Sequence, residues 1–326
     1  MKHLYNPFDT LLFQQNICFL TGKKLEQEQY VSAFPTWLME RYNLQEATIM
    51  MLNGNRVKYK NMLLPASDEV VKAIEQLDET TQKAFEQGYD AVKALPEITL
   101  FHWMARVLYG VLYQDFTYAI QEQIQRGVIF NVSDLLKRKL KNLLFMLQSL
   151  VTPIKFIHFS PYTIQCYRVK ISKDILNYKD ETHHFNFCLG MNGFAIAACL
   201  QDNGAVGKYL QEVLEKIGHV ELHPAQFEEL YGRFIYANYL LRDMPDYSIN
   251  QEGETFEFSL PADVDNQQPI FRQWEDKTFA QVLANAWKPW GITLEEIYSY
   301  PNSPISYLID EYTNEFITSD KVNLPF

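Results

Sequence analysis

Phe101-His-Trp-Met-Ala-Arg-Val-Leu-Tyr-Gly-Val-Leu-Tyr113 is apolar on nearly every side of a helical wheel, and its reading decides the architecture. From Ile98 to about Ile124, the residues Phe101, Trp103, Met104, Val107, Leu108, Val111, Leu112 and Phe116 leave no clear polar stripe. A helix of that kind belongs in the middle of a core. Trp103, Tyr109 and Tyr113 therefore read as core contacts rather than as a platform on which bases stack. Just upstream, Ser67 or Asp68 can cap a helix in which Val70, Val71, Ile74 and Leu77 recur at helical spacing. It continues through Ala84, Phe85, Val92 and Leu95 and stops at Pro96. Downstream, Ser133-Asp134 caps a third helix, Leu135 to Leu150, closed by Pro153.

The texture changes on both sides of this block. Ile154 to Ile171 alternates and is rich in β-branched and aromatic residues, as strands are. His184–Cys188 and Phe194–Ala197 flank Asn192-Gly193, a hairpin signal, because Asn-Gly supplies the positive φ angles of a tight turn. A helix (Val206–Ile217), a second (Pro224–Arg242), a hairpin turning on Glu252-Gly253 and two last helices (Lys277–Trp290, Ser306–Phe316) follow. Toward the N-terminus, Thr36–Tyr42 reads as a short helix after Pro35, and Ile49–Leu52 with Arg56–Tyr59 as a hairpin around Asn53-Gly54. The expected class is α+β. The expected organisation is a small module at 1–66, a helical region at 67–152, and an α+β region at 153–326 built on an antiparallel sheet, with the boundary near 150 soft.

Composition narrows the function classes. A chain of 326 residues with 47% hydrophobic and 14% aromatic content can bury a sizeable core and is not a disordered segment. The formal charge of −11 repels nucleic acid and anionic lipid at long range. The N-terminal Met1–Asn16 shows no sustained apolar run before a cleavage site, and no window is apolar for long enough to span a bilayer. Four widely spaced cysteines (Cys18, Cys166, Cys188, Cys199) form no disulfide framework, so reduced thiols and a cytoplasmic location are expected.

The region from Cys18 to Val70 resembles a bacterial group of HNH-endonuclease-like treble-clef proteins. That group opens with Cys-x-x-Cys-Gly-Lys, continues with Glu-His-x-Phe-Pro-x-Trp-Leu, and after a hairpin carries Pro-Cys-x-x-Cys-Asn. Here Cys18-Phe-Leu-Thr21-Gly22-Lys23 matches the first element, with Thr21 at the second cysteine. Val31-Ser32-Ala33-Phe34-Pro35-Thr36-Trp37-Leu38 matches the second, with Val31 and Ser32 where glutamate and histidine stand. Pro65-Ala66-Ser67-Asp68-Glu69-Val70 matches the third, with Ala66 and Glu69 at the cysteine positions. Trp103–Tyr113 is similar to a Trp-Leu-Ala-Lys-Ile-Phe-Tyr-Gly-Leu-Leu-Tyr stretch of such proteins, and Gln201–Ala205 and Ser306-Tyr307-Leu308 extend the likeness.

The resemblance implies a treble-clef-like module, a helix plus a β-hairpin, whose zinc ligands and catalytic histidine are lost. A structural zinc takes four thiolate or imidazole ligands in a tetrahedron. Cys18, Thr21, Ala66 and Glu69 offer one thiolate and one carboxylate, which make no closed site. Ser32 cannot by itself act as the base that activates water. The expectation is no metal, no cofactor and no catalytic residue, and hence a non-catalytic interaction or regulatory protein. The residues alone also allow Cys18 and its neighbours to be ordinary core, a reading that likewise expects no zinc.

Other constellations of side chains offer alternatives. A metal-dependent nuclease, or a nucleic-acid-binding protein, would need unconventional ligands such as Glu28, Asp68 and Glu69. Lys23, Lys24, Arg56, Lys58 and Lys60 supply a weakly basic patch for it, while Lys137-Arg138-Lys139 with Lys141 reads as a solvated helix face. A second site would combine His158, His184 and Cys188, since alternation along one strand puts His184 and Cys188 on the same face. His219 and His223 have the i, i+4 spacing of a helical metal pair but flank a loop-to-helix junction, which favours a structural role. No Gly-rich phosphate loop and no Gly-x-Ser-x-Gly elbow is present.

Overall fold

The computed structural model describes residues 3–11, 13–51, 53–127, 131–242, 246–261, 270–299 and 301–324. In chain order the elements begin with β1 (Tyr30–Ser32), α1 (Thr36–Arg41), β2 (Thr48–Met50), β3 (Arg56–Lys58), β4 (Leu63–Pro65) and α2 (Asp68–Gln87). Next come α3 (Tyr89–Lys93), α4 (Glu97–Gln125), α5 (Asp134–Leu147), β5 (Ile154–Phe156), β6 (Thr163–Arg168), β7 (Asn177–Glu181), β8 (Asn186–Met191) and β9 (Phe194–Cys199). The last are α6 (Ala205–Tyr209), α7 (Gln211–Ile217), α8 (Pro224–Leu240), β10 (Ser248–Glu252), β11 (Thr255–Ser259), α9 (Asp276–Ala286) and α10 (Leu294–Ile297). The fold is α+β. No helix among the described residues is long and apolar enough to cross a membrane.

Two compact units divide the chain, and neither is continuous in sequence. The first takes Met1–Ala84, Pro96–Phe159 and Pro245–Ala262; the second takes Phe85–Leu95, Ser160–Met244 and Asp263–Phe326. The stretch 153–326, expected as one region, is thus shared between them.

In the first unit α4 is the axis, and every residue from Leu100 to Thr117 is buried. The absence of a polar stripe in the sequence has this cause: the helix is enclosed on all sides. The antiparallel pair β1–β4 sets Val31 opposite Leu64. It lies close enough to α4 that a Cβ added at Gly110 would stand 2.7 Å from the Cβ of Ala33, so glycine is required there. The Gln114 side chain donates to the Leu63 carbonyl at 2.5 Å and ties the strand to the helix. Ser133 caps α5 by accepting from the Leu136 N–H, as the sequence predicts. The β2–β3 hairpin turns on Asn53-Gly54; the Leu52 end of the expected strand lies outside the described residues. Strand β5 pairs in parallel with β11, the inner strand of the β10–β11 hairpin, with Ile154 opposite Phe256.

The second unit is built on an antiparallel sheet of order β6-β9-β8-β7. Strands β8 and β9 are buried along their whole length, which is why they read as nearly continuous apolar runs. Helix α8 packs on the sheet through Phe227, Leu230, Tyr231 and Phe234, and Trp287 donates from its indole N–H to the Ala225 carbonyl at 2.8 Å. The Asn192-Gly193 turn has both residues at positive φ. Its Asn192 amide donates to the carbonyls of Phe85 and Glu86, satisfying the exposed end of α2 from a distance in sequence of more than a hundred residues.

Three expected helices differ, the first of them Val206–Ile217, which is divided at Leu210 into α6 and α7. The helix through Ala84 to Leu95 is broken at Gly88, which takes φ +89° and restarts the chain as α3. Ser306–Phe316 is not helical at all. The Ser306 hydroxyl accepts from the N–H groups of Leu308 and Ile309, and one Asp310 carboxylate oxygen accepts from those of Tyr312 and Thr313. Ile309 then pairs with Phe316 as an antiparallel bridge. Short polar side chains have taken the backbone donors that a helix would have used.

Candidate functional site

Asn16 to Leu25 folds back on itself. The Leu25 N–H donates to the Asn16 carbonyl at 2.8 Å, Cys18 N–H to Lys23 at 2.8 Å, and Gly22 N–H to Cys18 at 3.0 Å. Gly22 sits at φ +69° with the Tyr5 ring where a Cβ would be, so no other residue fits the turn. One further backbone bond fastens the turn to the segment before α2, and a second ties that segment to the residue before β1. Phe19 N–H donates to the Pro65 carbonyl at 2.7 Å, and Ala66 N–H to that of Gln29 at 3.0 Å. The turn that carries Cys18 and Thr21 is therefore held against the segment that carries Ala66 and Glu69, at the head of α2.

The chemistry at these positions does not fit a metal. Cys18 is fully buried, and its sulfur accepts a hydrogen bond from the Ser67 hydroxyl at 3.6 Å. The nearby Tyr5 phenol is pushed up to about 12, first by burial and then by the Cys18 sulfur. Ala66 presents a buried methyl group. Glu69 turns outward to Lys23 at 2.5 Å, with both side chains about half exposed (59% and 45% for lysine and glutamate). Thr21 Oγ1 and Ser32 Oγ are buried atoms with no hydrogen-bond partner among the described residues. Ser32 lies on β1 opposite Leu63, and its hydroxyl has no hydrogen-bonded base beside it among the described residues. Among the described residues no three His, Cys, Asp or Glu side chains are grouped to hold a metal ion.

A surface groove of about 630 Å³ opens over this junction, lined among others by Lys23, Lys24, Glu26, Gln29, Asp68 and Glu69. The carboxylates of Asp68 and Glu69 stand in the first turn of the 20-residue helix α2, where they complement its dipole. Of the unconventional ligand set, Glu69 is thus occupied by Lys23 and Glu28 is not part of the groove lining. Lys23 and Lys24 of the expected basic patch line the groove, whereas Glu26 and Gln29 carry no signal in the sequence. Nothing in their spacing marks them, since the groove exists only once β1 and α2 are in place.

The second candidate set is not assembled as expected. His184 does not lie on a strand with Cys188: it sits in the turn joining β7 to β8, which begins at Asn186. The turn is pinned by Glu181, whose carboxylate accepts from the N–H groups of both His183 and His184 and stands 3.3 Å from the His184 ring nitrogen. These bonds outweigh burial and hold Glu181 down to about 2. Cys188 points into the core, where burial pushes its thiol well above the ordinary range and leaves it protonated. His158, at φ +63° just after β5, belongs to the other unit.

His219 is exposed, and His223 caps α8: its Nδ1 accepts from the Ala225 N–H at 3.2 Å while Gln226 accepts from its backbone N–H at 2.8 Å. Trp103, Tyr109 and Tyr113 are buried in the core around α4, with Tyr109 stacked on Phe19. Of the basic run on α5, Lys141 pairs with Asp246 at 2.5 Å.

No family model, curated protein or solved structure matches this chain.

Proposed function

We propose that this chain is a non-catalytic interaction or regulatory protein built on a degenerate HNH-endonuclease-like scaffold. One observation carries the reading. The turn bearing Cys18 and Thr21 and the segment bearing Ala66 and Glu69 are joined by the Phe19–Pro65 backbone bond and the Ser67–Cys18 hydrogen bond, with too few metal-ligating side chains between them to close a metal site. A backbone arrangement of this kind without its ligands supports a scaffold used for its surface. The exposed groove with Lys23, Lys24, Glu26, Gln29 and Asp68 is the part of that surface closest to the former working positions.

The nuclease reading has one specific point in its favour. The acidic surplus is unevenly distributed: the first unit carries 16 basic and 18 acidic residues, the second 13 and 22. The unit with the groove is close to neutral and does not itself repel a polyanion strongly. One experiment separates the two readings. Purified protein is assayed for bound zinc, then incubated with DNA or RNA in the presence of Mg²⁺ or Mn²⁺. The non-catalytic reading expects no stoichiometric zinc and no cleavage. Cleavage that disappears in a Glu69→Ala variant would establish the nuclease instead.

A further inference from the structure

We draw no further inference here: the strongest candidate, the surface aromatic array of the second unit in which half-exposed Tyr209 stacks on Phe271 and Trp274 beside Tyr236 and Tyr239 of α8, carries nothing because nothing in the structure shows what covers it.

Discussion

Glu229 and Glu69 are both helical carboxylates, and the two units use them in opposite ways. Glu229 on α8 is completely buried. It accepts from the Arg233 guanidinium, the Ser306 hydroxyl at 2.7 Å and the N–H groups of Tyr307 and Leu308 at 2.6 and 3.1 Å. Glu69 at the head of α2 has one exposed lysine. The contrast extends to their neighbours. In the second unit Gln226 donates to two carbonyls, and Asn238 bridges the His184 carbonyl to the Asn186 side chain. In the first, the hydroxyls of Thr21 and Ser32 are buried with no partner among the described residues. Buried polar groups are almost always paired, and an unpaired one costs about 1–3 kcal/mol. Glu229, Gln226 and Asn238 of the second unit are structural fasteners. Thr21 and Ser32 at the first unit's junction fasten nothing among the described residues.

The sharpest way to break this comparison is to refill the junction. A Thr21→Cys/Ala66→Cys/Glu69→Cys variant joins three new thiols to Cys18. If the backbone is that of a zinc module, it gains stoichiometric zinc, with binding free energy on the order of 10 kcal/mol feeding into stability. Metal analysis and a chelator-sensitive Tm read this out. A folded variant that takes up no zinc would end the resemblance.

The next effect separates the two carboxylates. Glu229→Ala leaves a half-satisfied arginine and orphaned N–H groups, and should cost about 3–5 kcal/mol. Glu69→Ala removes only a surface ion pair and should cost under about 1 kcal/mol. Urea denaturation of both variants tests the difference; equal losses would contradict the reading of the two regions.

Opposite pH responses come third. In the first unit burial holds His102 down to about 4 from the ordinary 6.5. The Ser149 hydroxyl donates to the Met146 carbonyl and accepts from His102 Nε2 at 2.7 Å, so the neutral ring has a defined tautomer. The unfolded chain binds the proton more readily, so the associated stability is present above pH 6.5 and is lost as pH falls toward 4. In the second unit burial raises Asp202 from 3.8 to about 6, against bonds from Thr163 Oγ1 and the Val206 N–H. Here the folded state binds the proton more readily, so stability falls as pH rises from about 4 to about 6. Each contribution is roughly 3 kcal/mol at most. Hydrogen exchange followed by pH, unit by unit, should show the first protected less and the second more in mild acid. His102→Gln and Asp202→Asn should each flatten only their own unit's profile.

The smallest effect runs the other way. Thr21→Val removes an unsatisfied buried hydroxyl at nearly constant shape and should stabilise by about 1 kcal/mol in thermal unfolding. A loss of stability would mean that the hydroxyl has a partner and a use.

Much of this was legible in the chain itself, for reasons that differ by element. Helix α4 announces its burial because an enclosed helix can have no polar side. The Asn192-Gly193 and Asn53-Gly54 turns were visible because few residues accept positive φ. That Thr21, Ser32 and Ala66 carry a hydroxyl, a hydroxyl and a methyl group is plain from side-chain identity alone. What stayed hidden depends on distant partners. The orphaned state of Thr21 and Ser32, the groove over α2 and the His184 turn are set by contacts that no local pattern encodes. Ser306–Phe316 was misread because its apolar spacing suits a helix, while Ser306 and Asp310 divert the backbone into turns.

The parallel pairing of β5 with β11 has a consequence for biogenesis. Residues 154–156 find their hydrogen-bonding partners only at 256–258, about a hundred positions later. During synthesis the earlier strand must therefore wait, its edge uncovered, until the ribosome has delivered most of the second unit. Such a nascent chain is exposed to misassociation through that edge for several seconds at ordinary elongation rates. Chaperone demand should accordingly peak just before the β10–β11 hairpin emerges.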